Sequence, residues 1–275
     1  MSLTIVADKD LSSANTLGLP CVAERFAVAE NHDALGEAIR RAADHGWSLT
    51  LLGGGSNLIL PDNLTGLVLQ PAMNAWWLEE RGEERLVHVE AGMVWHDLVM
   101  TLASRGLWGI ENLALIPGHC GAAPIQNIGA YGVELGDVLE SVHLMYLDDG
   151  REAVFSAADC RFGYRDSIFK TNLDARVVIT RLALRLSRLP QPRLGYGDLA
   201  SRVGSDPTAL EVAEAVCAIR REKLPDPAVL NNAGSFFKNP LVDAITAGEL
   251  LADNPDLPHF PRADGRVKLA AGWLI

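Results

Sequence analysis

Ser48-Leu49-Thr50-Leu51-Leu52-Gly53-Gly54-Gly55-Ser56-Asn57 reads as a short strand that runs straight into a glycine loop. Upstream, Asn31-His32-Asp33 can cap a helix whose apolar face uses Leu35, Ala38, Ile39 and Ala42, with Gly46 as its stop. Downstream, Leu67-Val68-Leu69 reads as a further strand. Helix, strand, loop and strand in this order predict a small α/β layer. Three consecutive glycines let backbone N–H groups converge on an oxyanion without obstruction by Cβ atoms, and Ser56 and Asn57 add hydrogen bonds. The loop has neither the spacing of G-x-G-x-x-G nor the lysine of a Walker A sequence. Taken alone, it serves a tight turn as well as it serves a phosphate.

Near Pro71 the pattern changes. Residues 86–90 alternate as a strand does, and 94–105 read as a helix ended by Gly106. A long Gly/Pro-rich loop follows, then strands over 141–147 and 177–186. Asp206-Pro207 then offers an N-cap with proline at the first helical position. The helix it opens turns Leu210, Ala213 and Cys217 inward, ends in Arg220-Arg221-Glu222-Lys223, and is stopped by Pro225 and Pro227. Three segments result, 1–72, 73–204 and 205–275.

The stronger chemical signal is Pro117-Gly118-His119-Cys120-Gly121-Ala122-Ala123-Pro124-Ile125-Gln126-Asn127-Ile128-Gly129-Ala130-Tyr131-Gly132. Such a run makes a poor core, and it leaves many backbone donors that a buried loop must satisfy. A bound diphosphate or an isoalloxazine edge would satisfy them, as would the internal contacts of a packed Ω-loop. Two glycine-rich loops at the ends of separate segments suit a cofactor lying between them.

Bulk properties narrow the field. The chain has 275 residues, 48% of them hydrophobic, enough for two or three cored domains. A formal net charge of -11 argues against nucleic-acid binding, yet a few local cations could still hold an anionic small molecule. Cys21, Cys120, Cys160 and Cys217 form no C-x-x-C pair, which favours free thiols over a disulfide framework. The seven histidines give no close ligand pair, so no metal is expected. The charged N-terminus is unlike a signal peptide, and no apolar run approaches the ~18 residues of a membrane span. The expected compartment is the cytoplasm.

Further motifs stand in order along the chain. They are Asn15-Thr16-Leu17-Gly18, Cys160-Arg161-Phe162-Gly163-Tyr164-Arg165-Asp166-Ser167, Gly195-Tyr196-Gly197-Asp198-Leu199, Lys223-Leu224-Pro225-Asp226-Pro227 and Gly234-Ser235-Phe236-Phe237-Lys238-Asn239-Pro240. With the two glycine loops, this series resembles the UDP-N-acetylenolpyruvoylglucosamine reductase family over nearly the whole chain. The resemblance implies an α+β protein: an FAD-binding fold of the vanillyl-alcohol-oxidase/PCMH type in two subdomains (1–72 and 73–204), plus a partial α+β substrate-binding domain (205–275).

It also implies a reaction. Members of the family reduce the enolpyruvyl ether of UDP-N-acetylglucosamine enolpyruvate to the lactyl ether, in peptidoglycan precursor synthesis, with NADPH as hydride donor and non-covalent FAD. By motif match, Gly53, Gly54, Gly55, Ser56 and Asn57 would hold the cofactor together with Pro117, Gly118, Gly121, Ala122, Ala123, Asn127, Gly129 and Ala130. Arg165 would face the substrate carboxylate, where a planar, permanently charged donor suits the charge that develops. Ser235 would give the proton to carbon, and Tyr164, Tyr196, Lys223 and Asn239 would hold substrate.

Two departures from the family go with this. The family's acidic glutamate lies in a stretch beyond Ile275, so the resemblance implies a chain lacking that part and impaired in turnover. Phe260, in Pro258-His259-Phe260-Pro261, stands where many relatives carry a tyrosine. Two other readings remain open at the level of sequence: another flavin oxidoreductase of the same fold, such as a sugar or aldonolactone oxidase, and a non-catalytic FAD or UDP-sugar binder.

Overall fold

The computed structural model describes residues 3–234, 237–262 and 264–275. It divides into two compact units, Met1–Asn232 and Ala233–Ile275.

The first unit begins with β1 (Ile5–Asp10) and β2 (Val22–Ala29), followed by α1 (His32–His45), β3 (Leu49–Leu51) and β4 (Asn63–Pro71). These strands form one sheet in the order β1-β2-β4-β3, with β1 antiparallel to β2 and the other pairs parallel. Helix α1 follows the sequence signals closely. Asn31 accepts from the Ala34 N–H at 2.9 Å, and Gly46 ends the helix in the left-handed region. Leu35, Ala38, Ile39 and Ala42 pack on Ala27, Ala29, Leu67 and Leu69 of the sheet. Strands β1 and β2 carry no expectation from sequence. Five of the six β1 residues are exposed, so an edge strand of this kind shows no apolar alternation to detect.

Next come β5 (Trp76–Arg81), β6 (Glu84–Glu90), α2 (Trp95–Ser104), the short pair β7 (Gly129–Ala130) and β8 (Val133–Glu134), β9 (Leu139–Tyr146), β10 (Glu152–Ser156) and β11 (Val177–Ser187). An antiparallel sheet results, ordered β10-β9-β11-β6-β5. Its inward face, with Val87, Val89, Leu182 and Leu184, packs with Leu98 and Leu102 of α2.

Helix α3 (Ala209–Lys223) differs from expectation in two ways. Its cap is Thr208, which exchanges hydrogen bonds with Glu211 in a reciprocal box; Asp206 stands two residues too early. Moreover, Val212, Ala213, Val216, Cys217 and Ile219 join the same core as the second sheet, while Leu210 is only half-buried. The segment expected to open a third domain near residue 205 is therefore packed into the first unit, which ends at Asn232. A local cap signal cannot say which core a helix will join.

The second unit holds β12 (Leu241–Val242), α4 (Ala244–Asp253), β13 (His259–Pro261), β14 (Val267–Leu269) and α5 (Ala271–Leu274). Its antiparallel sheet runs β12-β14-β13, and Asp243 caps α4 by accepting from Ile245 and Thr246. Among the described residues no helix is long and apolar enough to cross a membrane.

Candidate functional site

The two glycine loops meet. A Cβ on Gly54 would stand 3.1 Å from the Gly118 Cα, and one on Gly118 would stand 2.9 Å from Ser56 Oγ. Gly55 is more constrained. Its φ is 61°, and a Cβ there would stand 2.0 Å from the Ala14 carbonyl oxygen. Thr16 N–H donates to the Gly55 carbonyl at 3.1 Å, so residues 11–19 brace the loop from its other side. The brace is built on Asn15, which is buried. Its Nδ2 donates to the carbonyls of Leu11 and Leu19, both at 3.0 Å, and to Ser12 at 3.3 Å, while its Oδ1 accepts from Leu19 N–H at 2.9 Å.

What this cradle offers is chemical. Among the described residues, no protein acceptor takes the backbone N–H groups of Gly53, Gly54, Gly55, Ser56 or Asn57. Thr16 Oγ1 and His119 Nδ1 are likewise shielded from solvent and unpartnered. The His119 ring lies against Gly53 and Gly54, and burial pushes its pKa down, which keeps the imidazole neutral. A run of N–H groups without protein acceptors, where Gly54, Gly55 and Gly118 leave little room for a Cβ, fits the diphosphate of a dinucleotide such as FAD. His119 and Asn15 were not among the expected site residues, although His119 stands inside the 117–132 glycine loop and Asn15 in the Asn15–Gly18 motif.

The later part of the 117–132 loop is held by the 160–167 motif. Ser167 Oγ donates to the Ile125 carbonyl at 2.7 Å. Arg165, itself at φ 53°, donates from Nη1 to the Asn127 carbonyl at 3.3 Å and from Nη2 to the Gly129 carbonyl. Asn127 is buried, donating from Nδ2 to Glu134 at 2.8 Å and to the Gly163 carbonyl at 3.3 Å, and accepting from Gly136 N–H at 2.8 Å. Both ends of its amide are thus spent inside the protein, and it shapes the loop. Gly121 is pressed against Ala91, Ala123 is buried, and Pro117 and Ala122 are exposed.

Beside this loop stands a face made of side chains. Tyr131 meets Tyr196 edge-on at 5.7 Å, and burial raises the Tyr131 hydroxyl pKa. Asn112 Nδ2 holds the carbonyls of Tyr131 and Arg193, each at 2.8 Å. The Tyr164 ring lies 5.8 Å from the Arg165 guanidinium carbon. Lys223 is largely exposed, with Nζ 3.7 Å from Asp198. Asn239 belongs to the second unit, where its Oδ1 accepts from Ala271 N–H at 2.9 Å. Ser235 lies outside the described residues. Among the described residues no three His, Cys, Asp or Glu side chains are placed to hold a metal.

Comparison with known proteins agrees with this geometry. The FAD binding domain family matches residues 23–156. A UDP-N-acetylenolpyruvoylglucosamine reductase of Chromobacterium violaceum is 47% identical over 281 aligned residues, which take in 100% of this chain and 82% of the relative. The crystal structure of a UDP-N-acetylenolpyruvylglucosamine reductase from Thermus caldophilus aligns with a TM-score of 0.62 at 24% identity, over 97% of this chain and 88% of that one. A solvent-stable cholesterol oxidase aligns at 0.52 and 15% identity over 68% of this chain and 38% of that one, a likeness of fold alone. The architecture is the α+β FAD-binding fold of the vanillyl-alcohol-oxidase/PCMH type, and with nearly half its residues identical to a relative along its whole length, the chain belongs to the UDP-N-acetylenolpyruvoylglucosamine reductase family.

Proposed function

We infer that the chain catalyses the NADPH-dependent, FAD-mediated reduction of UDP-N-acetylglucosamine enolpyruvate to UDP-N-acetylmuramate. The observation that carries this reading is the 47% identity to a reductase of that name over the full chain. In a cell, such a reaction supplies peptidoglycan precursors, and through them cell-wall growth, shape and division.

The residues divide the work. The loops at 53–57 and 117–130 would hold FAD non-covalently, offering it their backbone N–H groups. When bound, FAD would supply the hydride chemistry that links NADPH to the enolpyruvyl group. Arg165 binds the substrate carboxylate with the donors it does not spend on Asn127 and Gly129, and these two carbonyls hold its guanidinium in place. Ser235 delivers the proton to carbon. Tyr164, Tyr196, Lys223 and Asn239 bind the UDP-sugar. A serine hydroxyl is a weak acid, so nearby cations must assist it.

The test uses purified protein and separated half-reactions. Denaturation should release free FAD, and NADPH oxidation should depend on UDP-N-acetylglucosamine enolpyruvate. Ser235→Ala should leave flavin reduction by NADPH nearly intact and slow reoxidation by the enolpyruvyl substrate ~100- to 10,000-fold. Equal slowing of both half-reactions would show that Ser235 is structural, and protein that neither holds nor takes up FAD would sink the whole reading.

A further inference from the structure

Contacts from the start of α2 shape the approach to the 117–130 loop. The Met93 carbonyl accepts from Cys120 N–H at 2.8 Å, and Trp95 N–H donates to the Gly118 carbonyl at 3.0 Å. The buried Trp95 ring also donates from Nε1 to the Leu113 carbonyl at 3.0 Å. His96 completes the set: its Nδ1 accepts from Leu115 N–H at 3.1 Å. Leu115 has a φ of 57°, in the left-handed region that a residue with a Cβ adopts reluctantly. Ile116 and Pro117 follow directly, so the bond to His96 fixes the backbone at the point where the chain turns into the loop.

The His96 bond differs from its neighbours in one respect. They use backbone groups and an indole N–H, which keep their hydrogens at any ordinary pH, whereas an imidazole nitrogen accepts only while unprotonated. The ring must therefore be neutral, with its hydrogen on Nε2. Its half-buried place favours that form. Burial is the largest influence lowering the His96 pKa; Asp97 of its own helix opposes it, and Arg221 and Arg220 of α3, which packs against α2, add to it. Residues 111–113 also pack on α2, and Glu111 there keeps its Oε2 on Gly109 N–H. The strands beneath offer the apolar Val87, Val89, Leu182 and Leu184. Neutral His96 thus contributes stability that is complete above pH 6.5 and is lost as pH falls through the lower folded value.

We propose that His96 is a positioning residue of the cofactor site: its neutral ring pins Leu115 and so sets the path of the 117–130 loop, and protonation of Nδ1 releases the loop and weakens FAD binding. This rests on the functional reading above, in which the loop holds FAD.

Three proteins separate the outcomes: wild type, His96→Asn, whose Oδ1 can take the place of Nδ1 without titrating, and His96→Leu, which has no acceptor. FAD affinity is read by flavin fluorescence from about pH 8 down to about pH 5, with the melting temperature of each flavin-free protein alongside. At about pH 8, His96→Leu should bind FAD roughly 5- to 20-fold more weakly, the worth of leaving one shielded N–H without its partner. His96→Asn should recover most of that loss. As pH falls below about 6.5, wild type should weaken towards the Leu variant, while His96→Asn stays level. FAD affinity of His96→Leu within twofold of wild type at the higher pH overturns the proposal, even with a lower melting temperature, because His96 is then structural alone. An acid-dependent loss in His96→Asn as steep as in wild type also overturns it, assigning the sensitivity to another group such as His119. If one variant does not fold, wild type and the other decide, since neither Asn nor Leu titrates; if neither folds, His96 is a structural residue and the proposal fails. Wild-type protein that takes up no FAD refutes the functional reading and this proposal with it, whereas wild-type binding with either failure named above refutes this proposal alone.

Discussion

The glycine cradle and the arginine–tyrosine face adjoin each other and are built on opposite principles. In the cradle, backbone packs on backbone: Gly54 against Gly118, Gly55 against Ala14. The face is made of side chains, Arg165, Tyr131 and Tyr196, steered by buried polar residues behind them. Close backbone approach tolerates no added atom, so folding and cofactor binding stand or fall together there. On the face, a side chain can be exchanged while the scaffold persists, so binding and stability can be separated.

The strongest way to break this contrast is at Gly55. Gly55→Ala places a Cβ inside contact distance of the Ala14 carbonyl at a left-handed φ. We expect destabilisation of about 3 kcal/mol or more, together with loss of FAD, read by urea unfolding and flavin fluorescence. A variant that unfolds like wild type but no longer binds FAD would show the cradle to be separable from the fold after all.

Asn127 probes the seam between the two regions, since its amide joins Glu134, Gly163 and Gly136 while its carbonyl accepts from Arg165. Asn127→Ala should cost about 2–4 kcal/mol through lost buried hydrogen bonds and the left-handed backbone at this residue. FAD affinity should weaken in step, because the loop is loosened. Unchanged stability with a large loss of FAD affinity would instead make Asn127 a direct cofactor ligand, the role its motif implies.

The smallest effect concerns Glu111, the neighbour of the Asn112 that holds the Tyr131 carbonyl. Glu111 is buried; its Oε2 accepts from Gly109 N–H at 2.6 Å, and its Oε1 has no partner among the described residues. Burial, as the largest cause, raises its pKa above the ordinary 4.5, against the lowering effect of the Gly109 hydrogen bond. The folded state therefore favours the protonated form. The stability that comes with it is complete below pH 4.5 and is lost as pH rises through the higher folded value. Glu111→Gln should flatten that decline, raising the melting temperature by a few degrees at pH 7.5 and leaving it unchanged near pH 4. An unchanged pH profile would mean that Glu111 is not the group responsible.

Much of this protein is legible in its amino-acid sequence. Asn31 and Gly46 bound α1 because caps act on backbone groups three or four residues away. The glycine runs mark both loops, and the ordered motifs point to one family and to Arg165. Signals of a few residues' reach can do no more. Thr208 caps α3 in place of Asp206, because the choice between neighbouring polar residues depends on which of them meets its partner at the right distance.

The sequence by itself thus determined the local elements, the loops that could cradle an anion and the family. The tertiary structure alone decided that Gly54 meets Gly118, that α3 joins the first unit's core, and that Arg220 Nε is shielded from solvent with no hydrogen-bond partner among the described residues. The reason is physical. Caps and turns are satisfied by atoms a few residues apart, whereas close approach, burial and an unmet donor arise only when distant segments pack and exclude water together.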